Sequence, residues 1–297
     1  MKYKPALLFV CLFLSACGAS VSDGGDYVIL SFENLQPLQD GFHYEGWIIV
    51  DDNRISTGKF NVSENGALTS LTGIPIGDSR FEVSHELNNA SDFILTIEPA
   101  GDTDADPSDT HLLSGSFDEI RATLSMSHSS SFGNDFSEVS GSYILATPTD
   151  GENDTEKSGV WFLDPEGGAP TASLNLPDLP VGWKYEGWAV YNGTPVSTGT
   201  FTTVSGPDDE APYSGPQTAP PFPGEDFLMH PPSGLTFPLD LSGGKVVISI
   251  EPNPDDSPSP FVLKPLVGDI PDPAEDHVSY NLSSNTDSFV SGSALIN

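Results

Sequence analysis

The segment Tyr-Glu-Gly-Trp-Ile-Ile-Val-Asp-Asp-Asn-Arg-Ile-Ser-Thr-Gly-Lys-Phe at residues 44–60 returns as Tyr-Glu-Gly-Trp-Ala-Val-Tyr-Asn-Gly-Thr-Pro-Val-Ser-Thr-Gly-Thr-Phe at residues 185–201. Eight of these seventeen positions are identical at a constant offset of 141. Two shorter matches follow in the same order, Ile-Glu-Pro at 97–99 and 250–252, and Ser-Gly-Ser at 140–142 and 291–293. Because an ordered pattern that recurs in this way indicates a duplicated structural unit, we expect two copies of one domain.

Both copies consist of short segments in which apolar side chains occupy every second position. Residues 93–98 and 246–251 show this period of two, which predicts half-buried strands. Asn192-Gly193 predicts a hairpin turn, and Asp51-Asp52-Asn53 has the same place in the first copy. Since no segment after the N-terminal region has helical periodicity, we predict an all-β fold of two tandem antiparallel β-sandwich domains. The predicted strands are 27–35, 43–50, 55–62, 92–98, 111–117, 121–127 and 140–147 in the first copy, and 160–164, 171–176, 184–191, 196–203, 245–251, 261–267, 278–283 and 290–296 in the second.

The predicted organisation has five parts. A lipoprotein signal peptide (1–16) and a tether (17–26) precede the first β-sandwich repeat (27–149), a polar linker (150–159) and the second β-sandwich repeat (160–297). The second repeat has twelve additional residues within a proline-rich insert at 206–234, because the offset between the copies rises there from 141 to 153. The apolar residues of this insert either fold back onto their own sandwich, which we favour, or form an exposed loop that binds a partner. They are Phe222, Phe227, Leu228 and Met229.

The N-terminal residues have the pattern of a bacterial export signal. Lys2 and Lys4 precede a nine-residue apolar run that is too short for a permanent membrane span. Leu-Ser-Ala-Cys at 14–17 resembles a lipobox, so we expect Cys17 to carry a lipid that anchors the protein to the membrane; the alternative is an ordinary signal peptide cut after Ala16. No aspartate follows Cys17, which favours the outer membrane. Cys11 is the only other cysteine, so the mature chain is expected to lack disulfides.

The formal net charge of −33 restricts the possible partners. Such an excess of negative charge repels nucleic acids and anionic lipid headgroups, and it attracts cations or a basic partner. A solvated acidic surface is the plainer interpretation, and no sequence motif predicts a cofactor.

The serines of the repeated Ser-Thr-Gly triplet are the candidate nucleophiles. Ser56 and Ser197 lack the Gly-x-Ser-x-Gly pattern of a nucleophile elbow, and the six histidines do not recur beside them. A strand followed by a glycine bend explains the triplet better. We therefore predict that the protein is not an enzyme.

One acidic segment has the alternation of a calcium-binding loop. Asp102, Asp104 and Asp106 alternate, but Pro107 stands where such a loop requires glycine and Leu113 where it requires glutamate. A solvated acidic hairpin loop is therefore the favoured prediction, with these aspartates as weak metal candidates.

Trp47 and Trp188 are the repeated aromatic residues that could form a stacking platform for a ligand. A tryptophan in mid-strand is more often part of the core, so burial is the favoured prediction. The neighbouring Glu45 and Glu186 either point outward or bond to a nearby turn; the sequence leaves both possibilities open.

The order of these motifs resembles the extracytoplasmic C-terminal domain of anti-sigma-K factors. That resemblance implies an all-β module outside the cytoplasmic membrane, without catalytic residues. In the family, a transmembrane helix joins the module to a cytoplasmic segment that holds a sigma factor; neither is expected here, so only a sensory or binding role carries over. The matching segments are 185–188, 195–201, 246–252 and 263–268, and more loosely 44–47, 55–60, 93–99 and 112–115.

These observations predict a non-enzymatic lipoprotein of the cell envelope that recognises a protein or an extracellular ligand. A structural surface lipoprotein whose acidic coat is its function is one alternative. A calcium-dependent module for glycan binding or adhesion is the other.

Overall fold

The computed structural model describes residues 26–151, 154–255 and 257–297. Within these residues the only helical elements are two single 3-10 turns, Gly77–Ser79 and Thr286–Ser288. No helix there is long and apolar enough to cross a membrane. In chain order the strands are β1 Tyr27–Glu33, β2 His43–Val50, β3 Asn53–Val62, β4 Leu68–Thr69, β5 Arg80–Glu82, β6 Ala90–Glu98, β7 His111–Asp118, β8 Arg121–Leu124, β9 Gly141–Leu145, β10 Gly159–Trp161, β11 Leu163–Asp164, β12 Thr171–Ala172, β13 Trp183–Tyr191, β14 Thr194–Phe201, β15 Gly224–Asp226, β16 Lys245–Pro252, β17 Leu266–Asp269, β18 Tyr280–Ser284 and β19 Ser291–Ile296.

Two large antiparallel sheets contain almost all of these strands. The first has the order β4-β3-β2-β6-β7-β8-β19-β1-β5, and the second β14-β13-β16-β17-β18-β9-β10-β15. Each sheet curls over itself, so that β5 returns to β3 and β15 returns to β14. The strands β11 and β12 pair separately. The predicted all-β fold with two sandwich-like units is confirmed.

The two sheets exchange one strand. β9 ends the first repeat in sequence but lies in the second sheet, between β18 and β10. β19 ends the second repeat but lies in the first sheet, between β8 and β1. The predicted assignment of 140–147 to the first repeat and of 290–296 to the second is therefore wrong for both strands.

The exchange is reciprocal, because β9 and β19 occupy equivalent places. Gly292 lies opposite Leu124 in the first sheet, and Gly141 lies opposite Leu282 in the second. These glycines belong to the two Ser-Gly-Ser triplets. A Cβ atom at Gly292 would lie 2.6 Å from the Ser31 carbonyl oxygen, so only glycine fits at this position beside β1.

The segments that lead into the exchanged strands pack together between the sheets. Phe136, which precedes β9, meets Phe289, which precedes β19, edge to face with ring centroids 5.6 Å apart. Phe132 packs on Trp183 of the second sheet at 4.7 Å. Buried side chains of both sheets form one continuous core through these contacts. The two units are thus joined by shared strands and a shared core.

The boundary between the units also differs from the prediction. Residues 150–159, predicted as a linker, connect β9 to β10, which are neighbours in the second sheet. The chain crosses between the sheets at 125–140 instead. The strand predicted at 261–267 begins at Leu266, and the short strands β4, β5 and β15 were not predicted.

Strand exchange makes a direct crosslinking prediction. Thr123 of β8 and Ser293 of β19 are register partners on the outer face of the first sheet. We expect Thr123→Cys/Ser293→Cys to form a disulfide on mild oxidation, with Cys11 and Cys17 replaced by serine. Because it closes a loop of about 170 residues, it should stabilise the protein by roughly 2–4 kcal/mol, measured by chemical denaturation with and without reductant.

The matched control pairs Thr123→Cys with Ser142→Cys. Ser142 is the counterpart of Ser293 in the first repeat, but it lies opposite Asn281 in the second sheet. No crosslink should form between 123 and 142. A disulfide in the control, and none between 123 and 293, would mean that each repeat keeps its own last strand.

Candidate functional site

A β-bulge in each sheet brings the repeated motifs together. Gly46 pairs with Gly58, whereas the next residue, Trp47, pairs with Ser56, so Thr57 is the additional residue. Gly58 has φ +106°, a left-handed conformation that favours glycine. The same bulge recurs between Gly187 and Trp188 in the second sheet. The bulge re-aims the serine of Ser-Thr-Gly toward the glutamate of Tyr-Glu-Gly-Trp.

Both tryptophans are buried, as predicted, and each indole N–H group donates a hydrogen bond to a buried hydroxyl oxygen. Trp47 Nε1 donates to Thr96 Oγ1 at 2.9 Å, and Trp188 Nε1 donates to Ser249 Oγ at 2.8 Å. Thr96 in turn donates to a carboxylate oxygen of Glu98. Since these indoles point inward, neither is a stacking platform for a ligand.

Two glutamates converge at this place in each repeat. Ser56 Oγ donates to Glu45, and Ser197 Oγ donates to Glu186. The second glutamate comes from the Ile-Glu-Pro motif of the neighbouring strand, β6 or β16. Glu251 accepts a hydrogen bond from the Phe261 amide at 2.8 Å. Both repeats therefore build the same pair of buried carboxylates, which are Glu45 with Glu98 and Glu186 with Glu251.

In the first repeat a lysine supplies the opposing charge. Lys59 Nζ lies 2.7 Å from Asp102 Oδ2 and 3.7 Å from Glu45 Oε2. The hydrogen bond from Lys59 lowers the pKa of Asp102. His43 completes the group, since its ring and the carboxylates of Glu45 and Asp102 offer ligand atoms within 4.8 Å of one another. This group is neutralised from within the chain.

In the second repeat the lysine is absent. Thr200 stands opposite Glu186, as Lys59 stands opposite Glu45. In the described part of the chain no Lys, Arg or His nitrogen forms an ion pair with Glu186 or Glu251 within 4.0 Å. Burial raises the pKa of Glu186 to about 7 and the pKa of Glu251 to about 8. No ammonium group of the described residues therefore contacts this pair directly, although Lys264 acts on Glu251 from a greater distance.

These glutamates lie at the base of a pocket of about 350 Å³. Glu186 and Glu251 are 5% and 1% exposed, and Asp255 is exposed. One oxygen of each glutamate, Oε2, has no hydrogen-bond partner in the part of the chain that the structure describes. The two carboxyl groups therefore line a pocket that has room for a cation. Other residues that line the pocket include Lys184, Glu210, Pro212, Tyr213 and Asn253.

The proline-rich insert forms one wall of this pocket through Glu210, Pro212 and Tyr213. It does not form the exposed recognition loop that was the alternative prediction, because Phe227 is buried against Tyr213 and Phe237. The other three predicted contact residues do not form one apolar surface. Phe222 packs beside the cluster of Trp161, Leu228 is half-buried and Met229 is 42% exposed.

The insert also buries a further acidic group beside the pocket. Asp226 accepts hydrogen bonds from Trp161 Nε1 and from the amide and hydroxyl of Thr149. Glu225 accepts one from Ser214 Oγ, and its second oxygen has no partner. Burial raises the pKa of Glu225 to about 8. The buried hydrogen bonds of these side chains therefore join the insert to the second sheet.

The three predicted metal candidates do not converge on one point. Asp102 pairs with Lys59, and Asp106 lies 3.5 Å from Arg54. Asp104 accepts a hydrogen bond from the Asp106 amide at 3.0 Å, as in an ordinary polar turn. The predicted lipidation site, Cys17, lies outside the described residues.

Sequence reasoning did not identify the residues that complete the site. Glu251 was visible as part of the repeated Ile-Glu-Pro motif, but nothing in the motif linked it to Glu186. The difference between Lys59 and Thr200 was visible within the matched segments, and it is the signal that could have distinguished the two sites.

Comparisons with protein-family models, with curated proteins and with solved structures found no match to this chain.

Proposed function

We propose that this protein is a non-enzymatic module of the bacterial cell envelope that is anchored by a lipid on Cys17 and binds a cationic ligand or partner. Its core is a duplicated domain like the extracytoplasmic domain of anti-sigma-K factors. The binding site is the acidic pocket of the second repeat.

The observation that carries the proposal is the difference between the two repeats. The same bulge, serine and glutamate pair recur, but Lys59 neutralises the first group and Thr200 leaves the second without an ammonium. Two buried carboxylates without an opposing charge are costly in a fold unless a ligand compensates them. The net charge of −33 supports the same preference, since it attracts cationic ligands over long distances.

The surroundings of the serines support a binding role rather than hydrolysis. Ser56 and Ser197 each donate to a glutamate, and neither is hydrogen-bonded to a histidine within the described residues. A serine nucleophile needs a base that accepts its proton and a third group that orients the base. Here the glutamates orient the serines and leave their own second oxygens for a cation.

The test is chemical crosslinking in cells with the tagged, full-length lipoprotein, comparing Thr200→Lys with Thr194→Lys. Thr200→Lys places an ammonium where the first repeat has one, and Thr194→Lys adds the same charge at an exposed position of β14. We expect Thr200→Lys to reduce capture of the partner at least about tenfold, a difference of about 1.4 kcal/mol, and Thr194→Lys to retain it.

Deletion of residues 206–234 would not test the pocket in the way the lysine variants do, because the deletion also removes β15 and the buried Phe227. Equal capture by both lysine variants would exclude the pocket as the binding site. Absence of any saturable partner would favour the structural surface lipoprotein.

A further inference from the structure

We propose that Glu186, Glu251 and Asp255 hold a calcium ion at the base of the second repeat's pocket. This inference rests on the proposed binding function of the pocket and identifies the cation as a metal ion rather than an organic ammonium group.

The spacing of the carboxylates fits calcium. One oxygen from each of the three side chains lies within 4.8 Å of the other two. A point between three such oxygens is at most about 2.8 Å from each, which is within reach of calcium–oxygen bonds of about 2.3–2.6 Å. Small rotations of the carboxylates would close the remaining difference.

Two of the oxygens have no other role in the fold. Glu186 Oε2 and Glu251 Oε2 are buried without a hydrogen-bond partner among the described residues, whereas the other oxygen of each group accepts from Ser197 or from the Phe261 amide. A buried carboxylate oxygen without a partner is costly. A bound cation would satisfy both oxygens at once, and this observation is independent of the clustering of acids.

The first repeat shows what occupies the corresponding position. Lys59 Nζ lies between Glu45 and Asp102, at 3.7 and 2.7 Å. The ammonium group neutralises that cluster as a metal ion would neutralise the cluster of Glu186, Glu251 and Asp255. Since Thr200 is uncharged, Glu186 has no equivalent of Lys59 in the second repeat.

The neighbouring lysines do not fill the position. Lys184 Nζ lies 2.8 Å from Asp209 Oδ2 at the rim of the pocket. Lys264 interacts electrostatically with Glu251 but makes no ion pair with it within 4.0 Å.

The donor set also selects the class of metal. All three ligands are carboxylates, which prefer hard cations, and no histidine or cysteine lines the described pocket. The pocket of about 350 Å³ has room for the waters that complete a coordination sphere of six to eight oxygens, and the Asn253 side chain lies on its wall. Calcium tolerates such an irregular sphere better than magnesium does.

The experiment is isothermal titration of the full-length, detergent-solubilised protein with CaCl2 after removal of metals with a chelator, paired with thermal unfolding. We expect one site with a dissociation constant of about 10⁻⁴ M and a rise in melting temperature at millimolar calcium. Glu251→Gln and Thr200→Lys should each weaken binding at least about tenfold. Asp104→Asn, which removes an exposed acid elsewhere, should leave it unchanged.

Thr200→Lys keeps the test valid if Glu251→Gln fails to fold, because the first repeat already tolerates lysine at this position. No binding up to about ten millimolar calcium, far above the affinity of extracellular calcium sites, would overturn the inference. Binding that Thr200→Lys leaves intact would also overturn it. Titration with putrescine separates the two proposals, since binding of this diamine without calcium binding would refute the metal ion and leave the proposed function standing.

Discussion

Removal of residues 291–297 is expected to unfold the first sheet, although these seven residues belong to the second repeat in the sequence. β19 lies between β8 and β1, so its loss breaks two ladders of backbone hydrogen bonds in the middle of that sheet. It also removes the buried side chains of Ala294 and Ile296. The expected loss is at least about 5 kcal/mol, comparable to the whole stability of a typical domain.

Hydrogen–deuterium exchange locates the damage. We expect amides of 27–33 and 121–124 to lose protection, and those of 280–284 to keep it, because β18 pairs with β9 and β17 instead. Loss of protection confined to 159–161 and 280–284 would contradict the exchange of strands.

Two glycine substitutions provide matched controls for the truncation. In Gly292→Val the new Cβ would lie 2.6 Å from Phe32 Cδ1 of the first sheet. In Gly141→Val it would lie 2.6 Å from Leu174 Cδ2, which packs on the second sheet. Each substitution should therefore destabilise the sheet of the other repeat.

The second large effect expected is a loss of stability as pH rises. Burial raises the pKa of Glu186 and Asp208 to about 7 and that of Glu225 and Glu251 to about 8. The folded chain therefore retains protons that the unfolded chain releases near pH 4.5, and its stability falls between about pH 5 and about pH 8. Each group contributes up to about 1.4 kcal/mol per pH unit, so the total loss should reach several kcal/mol.

Denaturant titrations in chelating buffer across that range measure the slope. Glu225→Gln cannot ionise, so the fall in its unfolding free energy with pH should be shallower than in the wild type. Glu64→Gln removes an exposed acid and should keep the wild-type slope; it thereby controls for repulsion within the highly charged chain. Identical slopes for the wild type and Glu225→Gln would show that Glu225 is ionised throughout.

Sequence patterns predicted the positions of most strands, but the half-burial predicted at 93–98 and 246–251 is wrong, because every residue of these two segments is buried. The alternation at 93–98 and 246–251 and the turn at Asn192-Gly193 correspond to observed strands and a hairpin. β15 was not predicted because Gly224, Glu225 and Asp226 are small or polar residues, which do not predict a buried strand, and yet all three are buried. Burial of that kind depends on side-chain partners such as Trp161 and Thr149, which local sequence does not reveal.

The exchange of strands could not be predicted from the repeats. β9 and β19 carry the same Ser-Gly-Ser triplet and fit equivalent positions, so periodicity and register describe the exchanged and unexchanged arrangements equally well. The choice depends on the aromatic contacts of the crossing segments, such as Phe136 with Phe289.

The acidic site was only partly predictable. Alternation along β13 could not decide where Glu186 points, because the bulge beside Gly187 changes the pairing of the neighbouring strand. Asp255 joins the glutamates from a loop whose path no periodic pattern describes.

The position of β19 also sets the order of events during biosynthesis. The strands β1 to β8 are synthesised first, but their sheet lacks an internal strand until the final residues have been added. About 170 residues separate Leu124 from β19, which at common rates of synthesis means a delay of roughly 10 to 30 seconds. Throughout that interval β1 and β8 expose unpaired edges that can associate with other chains. Such open edges are the kind of surface that chaperones cover until β19 pairs with β1 and β8.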